Sequence, residues 1–451
     1  MDWINNFLGQ INDILWGPPL LTLIVGTGIF LSFKIKFLQF SHLGAALKLA
    51  FTKHQDKKSQ GDISHFQALM TALAATIGTG NIAGVATAVV LGGPGAVFWM
   101  WITALVGMAT KYAEAVLAVK FRTVDDNGEM SGGPMYYIEK GLGWKWLAVL
   151  FAIFASIAAF GIGNIVQSNS VAGAIESSFG LSAWITGIVL AILTALVILG
   201  GIKSIGKVTA FIVPFMAVFY MLGGLIIIIL NIDLVPAAFG LIFTDAFTGK
   251  AMAGGALGTV IRWGVARGVF SNEAGLGSAP IAAAAAKTDV PGRQGLVSMT
   301  GTFIDTIIVC TFTGLVITMS GLYTGDLQGA SLTSAAFDMF IPYGKWIVSI
   351  GLIFFAYSTI LGWSYYGEKS FEYLFGTKSV FPYRIAFAIF VFIGAVFSHD
   401  IVWAFADVMN GLMAIPNLIA LLALSGVVVA ETKVIKELLD NEKLEHRKGK
   451  A

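Results

Sequence analysis

Two glycine-rich interruptions lie inside apolar stretches long enough to cross a bilayer: Ile77-Gly78-Thr79-Gly80-Asn81 and Phe270-Ser271-Asn272-Glu273-Ala274-Gly275-Leu276-Gly277. Hydrocarbon offers no water to backbone N–H and C=O groups, so a spanning helix normally stays unbroken. A break is tolerated where the freed groups face a cavity and bind something there. Two breaks, one early in each half of a chain, point to a substrate and ion site near the bilayer midplane. The competing reading is that glycines here only let helices cross closely. A matched pair, each carrying Asn and hydroxyl side chains, argues against it.

Composition fixes the broad class. Of 451 residues, 57% are hydrophobic and only 12% charged, with a mean hydropathy of +0.81. Soluble domains carry about 25% charged residues, so this chain is an integral membrane protein with the lipid bilayer as its surroundings. A net charge of +2 without a basic stripe gives no reason to expect a nucleic-acid partner. The single cysteine, Cys310, excludes a disulfide framework and a cysteine metal cluster. All five histidines, His42, His54, His65, His399 and His446, fall at span ends or outside them. With no HExxH, GxSxG or P-loop, an enzyme and its cofactors are not expected. A channel would need a continuous polar pore or a repeated filter motif, and neither is visible. The start, Met1-Asp2-Trp3, lacks the basic region of a signal peptide.

At about 20 residues per span, eleven transmembrane helices are predicted, near 15–33, 66–92, 95–119, 146–175, 182–201, 208–231, 255–286, 296–320, 345–371, 380–397 and 401–430. The stretch 120–144, with Asp125-Asp126-Asn127-Gly128, reads as a loop, and Leu43 to Thr52 as an amphipathic surface helix. Lysines and arginines favour cytoplasmic loops. If eleven helices alternate, nearly all of them fall on one side, with Lys250, Arg262, Arg267 and Lys345 elsewhere. The N-terminus is then outside and the C-terminus cytoplasmic. Taking 15–33 as an extra helix leaves ten, dividing into five-helix repeats over 66–231 and 255–430, with 431–451 as a cytoplasmic tail. Five is odd, so the repeats are inverted. The whole chain, 1–451, is one all-α transmembrane domain with two broken helices.

The run Gly92-Gly93-Pro94-Gly95-Ala96-Val97-Phe98-Trp99-Met100-Trp101-Ile102-Thr103-Ala104-Leu105-Val106-Gly107-Met108 resembles the signature of the alanine or glycine:cation symporter family. Ser131-Gly132-Gly133-Pro134-Met135-Tyr136-Tyr137 and the second break through Ser278-Ala279-Pro280 are similar to that family's recurrent motifs. The resemblance covers nearly the whole chain. It implies a prokaryotic plasma-membrane symporter taking up alanine, glycine or a similar small amino acid, coupled to sodium, with protons as the alternative ion. It also implies a leucine-transporter-like fold working by alternating access.

A zwitterion needs N–H donors for its carboxylate and oxygens for its ammonium. Thr79 and Gly80 would present amides at a half-helix N-terminus, and Gly78-Thr79-Gly80-Asn81 is similar to the leucine transporter's first break. Carbonyls of Phe270 and Ser271, with Asn272 and Glu273, would face the ammonium. Gln167, near Asn164 and Asn169, is a further candidate, with bonding between helices as its alternative. Ser358-Thr359 resembles the fold's common sodium site, which backbone carbonyls of Ala74, Ile77 and Phe355 would complete. The alternative is hydroxyls bonded back to their own helix. A second ion site would use Asn81, Ser271 and Asp305. Trp363, one turn beyond the hydroxyl pair, would narrow the pocket to the smallest side chains.

Ionisable groups at membrane depth are functional candidates by default. Arg262 and Arg267 are expected to pair with Asp407 or Glu273, as an outer gate or as a static ion pair. Glu114 and Glu368 are expected beside Lys111 and Lys369 near the cytoplasmic face.

Overall fold

A computed structural model describes residues 2–52, 59–247, 256–397 and 400–448. Lys53, Lys57, Lys58, Lys250 and residue 255, the expected start of the seventh span, lie outside the described residues.

Helix α1 (Asp2–Leu15) precedes α2 (Pro18–Lys34). Between them Gly17 is extended and Pro18 opens the new helix, where a missing N–H costs nothing. The surface helix expected at Leu43 to Thr52 is α3 (Leu43–Phe51). Next come α4 (His65–Thr76) and α5 (Gly80–Gly92), which meet at a bend of 52°. A capping box starts α4, Ser64 and Gln67 each accepting from the other's backbone amide. The rod α6 (Gly95–Lys120) leads into a hairpin of β1 (Thr123–Val124) and β2 (Met130–Ser131), pairing Thr123 with Ser131.

The first half closes with α7 (Lys145–Phe179), α8 (Ala183–Ile198), α9 (Gly201–Leu230) and α10 (Val235–Asp245). The second contains α11 (Ala256–Asn272), α12 (Ala279–Ala284), α13 (Pro291–Ser320), α14 (Gly329–Phe340), α15 (Lys345–Phe375), α16 (Val380–Val396), α17 (Asp400–Ala423) and α18 (Ser425–Lys448). The expected span 401–430 thus ends at Ala423. Most of the expected tail lies in the helix α18, which packs on α6 through Tyr112–Thr432 at 3.0 Å and Lys120–Glu431 at 2.8 Å.

Among the described residues, eight helices are long and apolar enough to cross a membrane, nine counting the bent α4–α5 pair as one. At 16 and 17 residues, α8 and α11 are shorter. Large apolar side chains face outward on α8 and α9, among them Trp184, Ile188, Ile192, Leu196, Phe211 and Ile229. Polar and charged side chains, including Asn81, Glu114, Gln167, Glu273 and Asp305, are buried instead. Outward apolar and inward polar is the arrangement that lipid as solvent selects. At the centre, α6 packs against α11 and α13 on one side, while α15 packs against α4, α7 and α9.

Three π turns interrupt these helices, Gly80–Gly84 in α5, Gly161–Ile165 in α7 and Phe303–Cys310 in α13. Single π turns inside helices recur at functional sites. Each of these places a polar side chain, Asn81, Asn164 or Asp305, in the protein interior.

One face of the bundle is tied shut. Asp62 and Ile63 donate to the Ala285 carbonyl at 2.8 and 3.2 Å, and Lys287 donates to Ile63 at 2.8 Å. The Arg122 guanidinium reaches across this seam to the carbonyls of Ala284, Ala286, Gln60 and Thr288 at 2.8, 2.7, 2.9 and 2.6 Å. A Cβ at Gly61 would lie 2.4 Å from the Lys287 Cα, so only glycine permits the approach. Nearby, Lys369 binds Asp125, Glu129 and Glu372 at 2.9, 3.4 and 2.8 Å, which fastens the hairpin to α15. Burial alone would raise the Asp125 carboxyl, but Lys369 and the Glu129 amide outweigh it and hold the group below the usual carboxylate range.

Candidate functional site

The first break begins where Ile77 turns extended (ψ 91) after its amide has bonded Leu73. Asn81 then caps the gap: its Oδ1 accepts the Gly78 amide at 2.9 Å, and its own amide donates to the Gly78 carbonyl at 3.2 Å. Thr79 and Gly80 therefore open α5, the first turn of a helix, whose N–H groups have no partner within it.

The second break lies slightly later than the sequence suggests. Phe270 and Ser271 belong to the last turn of α11, and the gap spans 273–278. Glu273, Gly275 and Gly277 adopt φ of 58, 93 and 84. The helix-continuing amides are diverted: Ala274 donates to the Asn272 side chain at 2.9 Å, Gly275 to Glu114 at 3.1 Å, and Leu276 to the Glu273 carbonyl at 3.2 Å. The carbonyls of Phe270, Ser271 and Asn272 thereby lose their helical donors. The two breaks abut, since a Cβ at Gly80 would lie 3.2 Å from Ser271 Cα and 3.3 Å from the Phe270 ring.

Beside the first break, five oxygens converge. Ser358 Oγ donates to Ala74 O at 3.3 Å and Phe355 O at 2.9 Å. Thr359 Oγ1 lies 3.0 Å from Ala74 O, 3.5 Å from Ile77 O and 2.9 Å from Phe355 O. Bonding back to Phe355 is the ordinary habit of a helical hydroxyl, but reaching Ala74 and Ile77 on α4 is not. The result is a cluster of hard, uncharged oxygens between the end of α4 and the middle of α15.

A second polar cluster gathers Asn81, Ser271 and Asp305. Asn81 Nδ2 donates to Asp305 Oδ1 at 2.7 Å, and Ser271 Oγ to Asp305 Oδ2 at 2.8 Å. Thr306 adds a hydroxyl on the same carboxylate oxygen at 2.7 Å, and Asn272 donates to Thr306 at 3.1 Å. Thr306 was not singled out from the sequence, although its place beside Asp305 in a polar stretch of α13 was a usable signal.

Gln167 points at the first break, donating to Thr79 Oγ1 at 3.2 Å and Ile162 O at 3.0 Å. Its Oε1 is buried without a partner and sits 3.6 Å from where a Gly78 Cβ would be. A buried acceptor in that state is costly unless something donates to it. The Glu273 carboxylate does not stand free toward a ligand, because it accepts Trp363 Nε1 at 2.8 Å and Ser278 Oγ at 2.6 Å. Trp363 is fixed from the other side by Gly163, whose Cβ would lie 2.2 Å from the Trp363 Cβ.

The remaining charges meet expectation in part: Arg267 interacts electrostatically with Asp407, and Glu368 with Lys369. Arg262 pairs with Asp13 of α1 at 2.6 Å, not with Asp407 or Glu273, because α1 folds over α17 through Asn12–Ala404 and Trp16–Asp407 bonds. Arg267 stacks over the rings of Trp263 and Phe270 at 5.4 and 5.3 Å. Together with Asp407, these residues line a cavity of about 340 Å³ outside Phe270. Glu114 is fully buried against the second break, with the expected Lys111 as an electrostatic partner. Glu368 is held by Arg384 at 2.6 Å.

This geometry has counterparts. The solved structures of a manganese transporter from Eremococcus coleocola superpose with a TM-score of 0.53 at 11% identity, covering 84% of this chain and 89% of that one. At that identity the likeness is one of fold. Sequence relatives are nearer: the sodium/alanine symporter AgcS of Methanococcus maripaludis is 66% identical over 98% of this chain and 99% of its own. The probable sodium/glutamine symporter GlnT of Bacillus subtilis is 40% identical over 95% and 90%. These relatives are carriers and not enzymes. The profile of the sodium:alanine symporter family matches residues 1–448, and the chain belongs to that family as a multi-pass membrane transporter.

Proposed function

We propose that this protein carries a small neutral amino acid, alanine or glycine, into a prokaryotic cell down a sodium gradient. The observation that carries the reading is the shared use of the first break. The Ile77 carbonyl that closes the oxygen cluster is two and three residues from the amides of Thr79 and Gly80. Sodium, as cargo, would take the oxygens of Ala74, Ile77, Phe355, Ser358 and Thr359, a hard-oxygen set suited to a hard cation. The Asn81, Ser271 and Asp305 cluster is the candidate for a second cation.

The substrate carboxylate would lie on the Thr79 and Gly80 amides, favoured by the α5 dipole. Its ammonium would meet the freed carbonyls of Phe270 and Ser271 and the unpartnered Gln167 Oε1. Trp363, anchored by Glu273, would narrow the pocket toward the smallest side chains. One relative is named for glutamine, so family membership alone does not fix the substrate.

Counting α8 and the broken α11–α12 pair as crossings gives eleven spans. One extra helix, a five-plus-five inverted repeat and a cytoplasmic C-terminus follow. Alternating access would then open the Arg122 seam on one side and the cavity outside Phe270 on the other. Labelled alanine uptake into proteoliposomes tests the reading: accumulation above the external concentration is expected only with an inward sodium gradient. Equal uptake on a proton gradient alone would replace the coupling ion, and no accumulation would remove the function.

A further inference from the structure

The second break contains an anion cradle that the protein fills itself. Residues Glu273, Gly275 and Gly277, all at positive φ, alternate with neighbours so that the amides of Gly275 and Gly277 turn to one side. Successive N–H groups arranged this way form a concave site for a negative charge. Glu114, reaching from α6, places one carboxylate oxygen there, at 3.1 Å from Gly275 N and 3.2 Å from Gly277 N. Asn417 of α17 donates to the same oxygen at 2.7 Å and to the Gly275 carbonyl at 2.9 Å, and accepts in turn from the Tyr137 hydroxyl. Both glycines resist substitution: a Cβ at Gly277 would lie 2.7 Å from Pro134 Cγ, and one at Gly275 would be strained by its φ of 93 and lie 3.1 Å from Leu418 Cδ2.

We infer that Glu114 is a positioning residue for the transported amino acid, holding the second break open and denying its anion cradle to the substrate carboxylate. Both effects come from one carboxylate. By taking the Gly275 amide, Glu114 releases the Ser271 carbonyl from α11. By occupying the cradle, it leaves the first break as the place for the substrate's negative end, so the zwitterion is held in a single orientation. Glu114 makes no contact with the sodium cluster at Ala74, Ile77, Phe355, Ser358 and Thr359, which is built on other helices. The inference rests on the amino-acid reading above, and predicts that substrate and ion binding separate on mutation.

The test compares wild type with Glu114→Ala, Glu114→Gln and Asn417→Ala in the purified full-length protein. It measures radiolabelled alanine binding at saturating sodium, radiolabelled sodium binding without alanine, and amide hydrogen exchange over residues 273–278. Losing an acceptor shared by two buried amides should weaken alanine binding about tenfold or more in Glu114→Ala and speed that exchange by a similar factor. Sodium binding should stay within about twofold, and Glu114→Gln, which keeps an acceptor oxygen, within about threefold on all three measures. Alanine binding unchanged in Glu114→Ala, or sodium binding weakened as much as alanine binding, overturns the inference. If Glu114→Ala yields no folded protein, Asn417→Ala decides: about threefold weaker alanine binding is expected, and no change overturns it. A wild type that binds no alanine removes the functional reading instead, and the exchange of residues 273–278 still decides the role of Glu114.

Discussion

Replacing Arg122 by alanine should open one side of the protein, and the size of the effect follows from four contacts. The guanidinium donates to Ala284, Ala286, Gln60 and Thr288 at 2.6–2.9 Å. Hydrogen bonds from a charged donor contribute about 1.5–3 kcal/mol each when buried. This group is only partly buried, so water already competes for it, and about 2–4 kcal/mol in total is the reasonable sum. An open seam cannot keep all of these contacts, because Gln60 sits on one strip and Ala284, Ala286 and Thr288 on the other. The loss therefore falls on the closed form. The Gln60 bond alone spans the seam and contributes about 1 kcal/mol of that sum, so at about 1.4 kcal/mol per tenfold the closed-to-open ratio falls at least roughly fivefold and at most about 700-fold. Arg122→Lys, with one ammonium in place of a planar fork, should lose about half of that free energy. Hydrogen exchange reads it directly, since the amides of Asp62 and Lys287 are the bonded members of the seam. Exchange at those amides in Arg122→Ala within about threefold of wild type would refute the assignment of closure to this residue.

Three further outcomes are expected. Ser358→Ala combined with Thr359→Ala removes two of five oxygens and should raise the sodium needed for half-maximal uptake about tenfold or more; the protein should still fold, and unchanged sodium activation would remove the ion assignment. Trp363→Ala should admit larger side chains such as glutamine in competition assays, whereas a profile still restricted to alanine and glycine would show that the indole does not bound the pocket. The Asp125 latch should be insensitive to mild acid. A carboxylate held below its ordinary value contributes stability above the unfolded pKa, about 3.9, and loses it only as pH falls through the lower folded value. Exchange at the Asn127 and Glu129 amides, which donate to Asp125, should stay flat from about pH 8 to 5 after correction for intrinsic rates; loosening of these two within that window would contradict the ion pair with Lys369.

The first break was legible because its cause is local. Gly78 must approach Thr359, with a Cβ falling 2.5 Å from its Oγ1, and the cap comes from Asn81 within the same motif. The second break was legible in kind but not in register. Its first left-handed residue is Glu273, a residue type that rarely adopts φ above zero, and the group that stabilises it, Glu114, lies 161 residues from Gly275 in sequence. No spacing rule reaches that far. The same reason hid the Asp13–Arg262 pair, since nothing local to either residue indicates that α1 folds across α17. Helices α10 and α14, with 11 and 12 residues, are too short to read as spans, and α18 is polar enough to read as a tail.

The placement of the two clusters also explains why ion and substrate should help each other without touching. The carbonyls of Ala74 and Ile77 belong to the end of α4, and a cation bound there fixes that end against α15. Thr79 and Gly80 follow within three residues of Ile77, so fixing the helix end also fixes the direction of their amides. Ordering that backbone in advance spares the amino acid an entropy cost of about 1–2 kcal/mol per residue, which for the two amide-bearing residues corresponds to a coupling of roughly 30-fold or more. Linkage then requires alanine to raise sodium affinity by the same factor. Sodium titrated with and without saturating alanine measures that factor from one side, and alanine titrated with and without sodium from the other. A factor near one in both directions would mean that the two clusters are independent and that the first break does not join them.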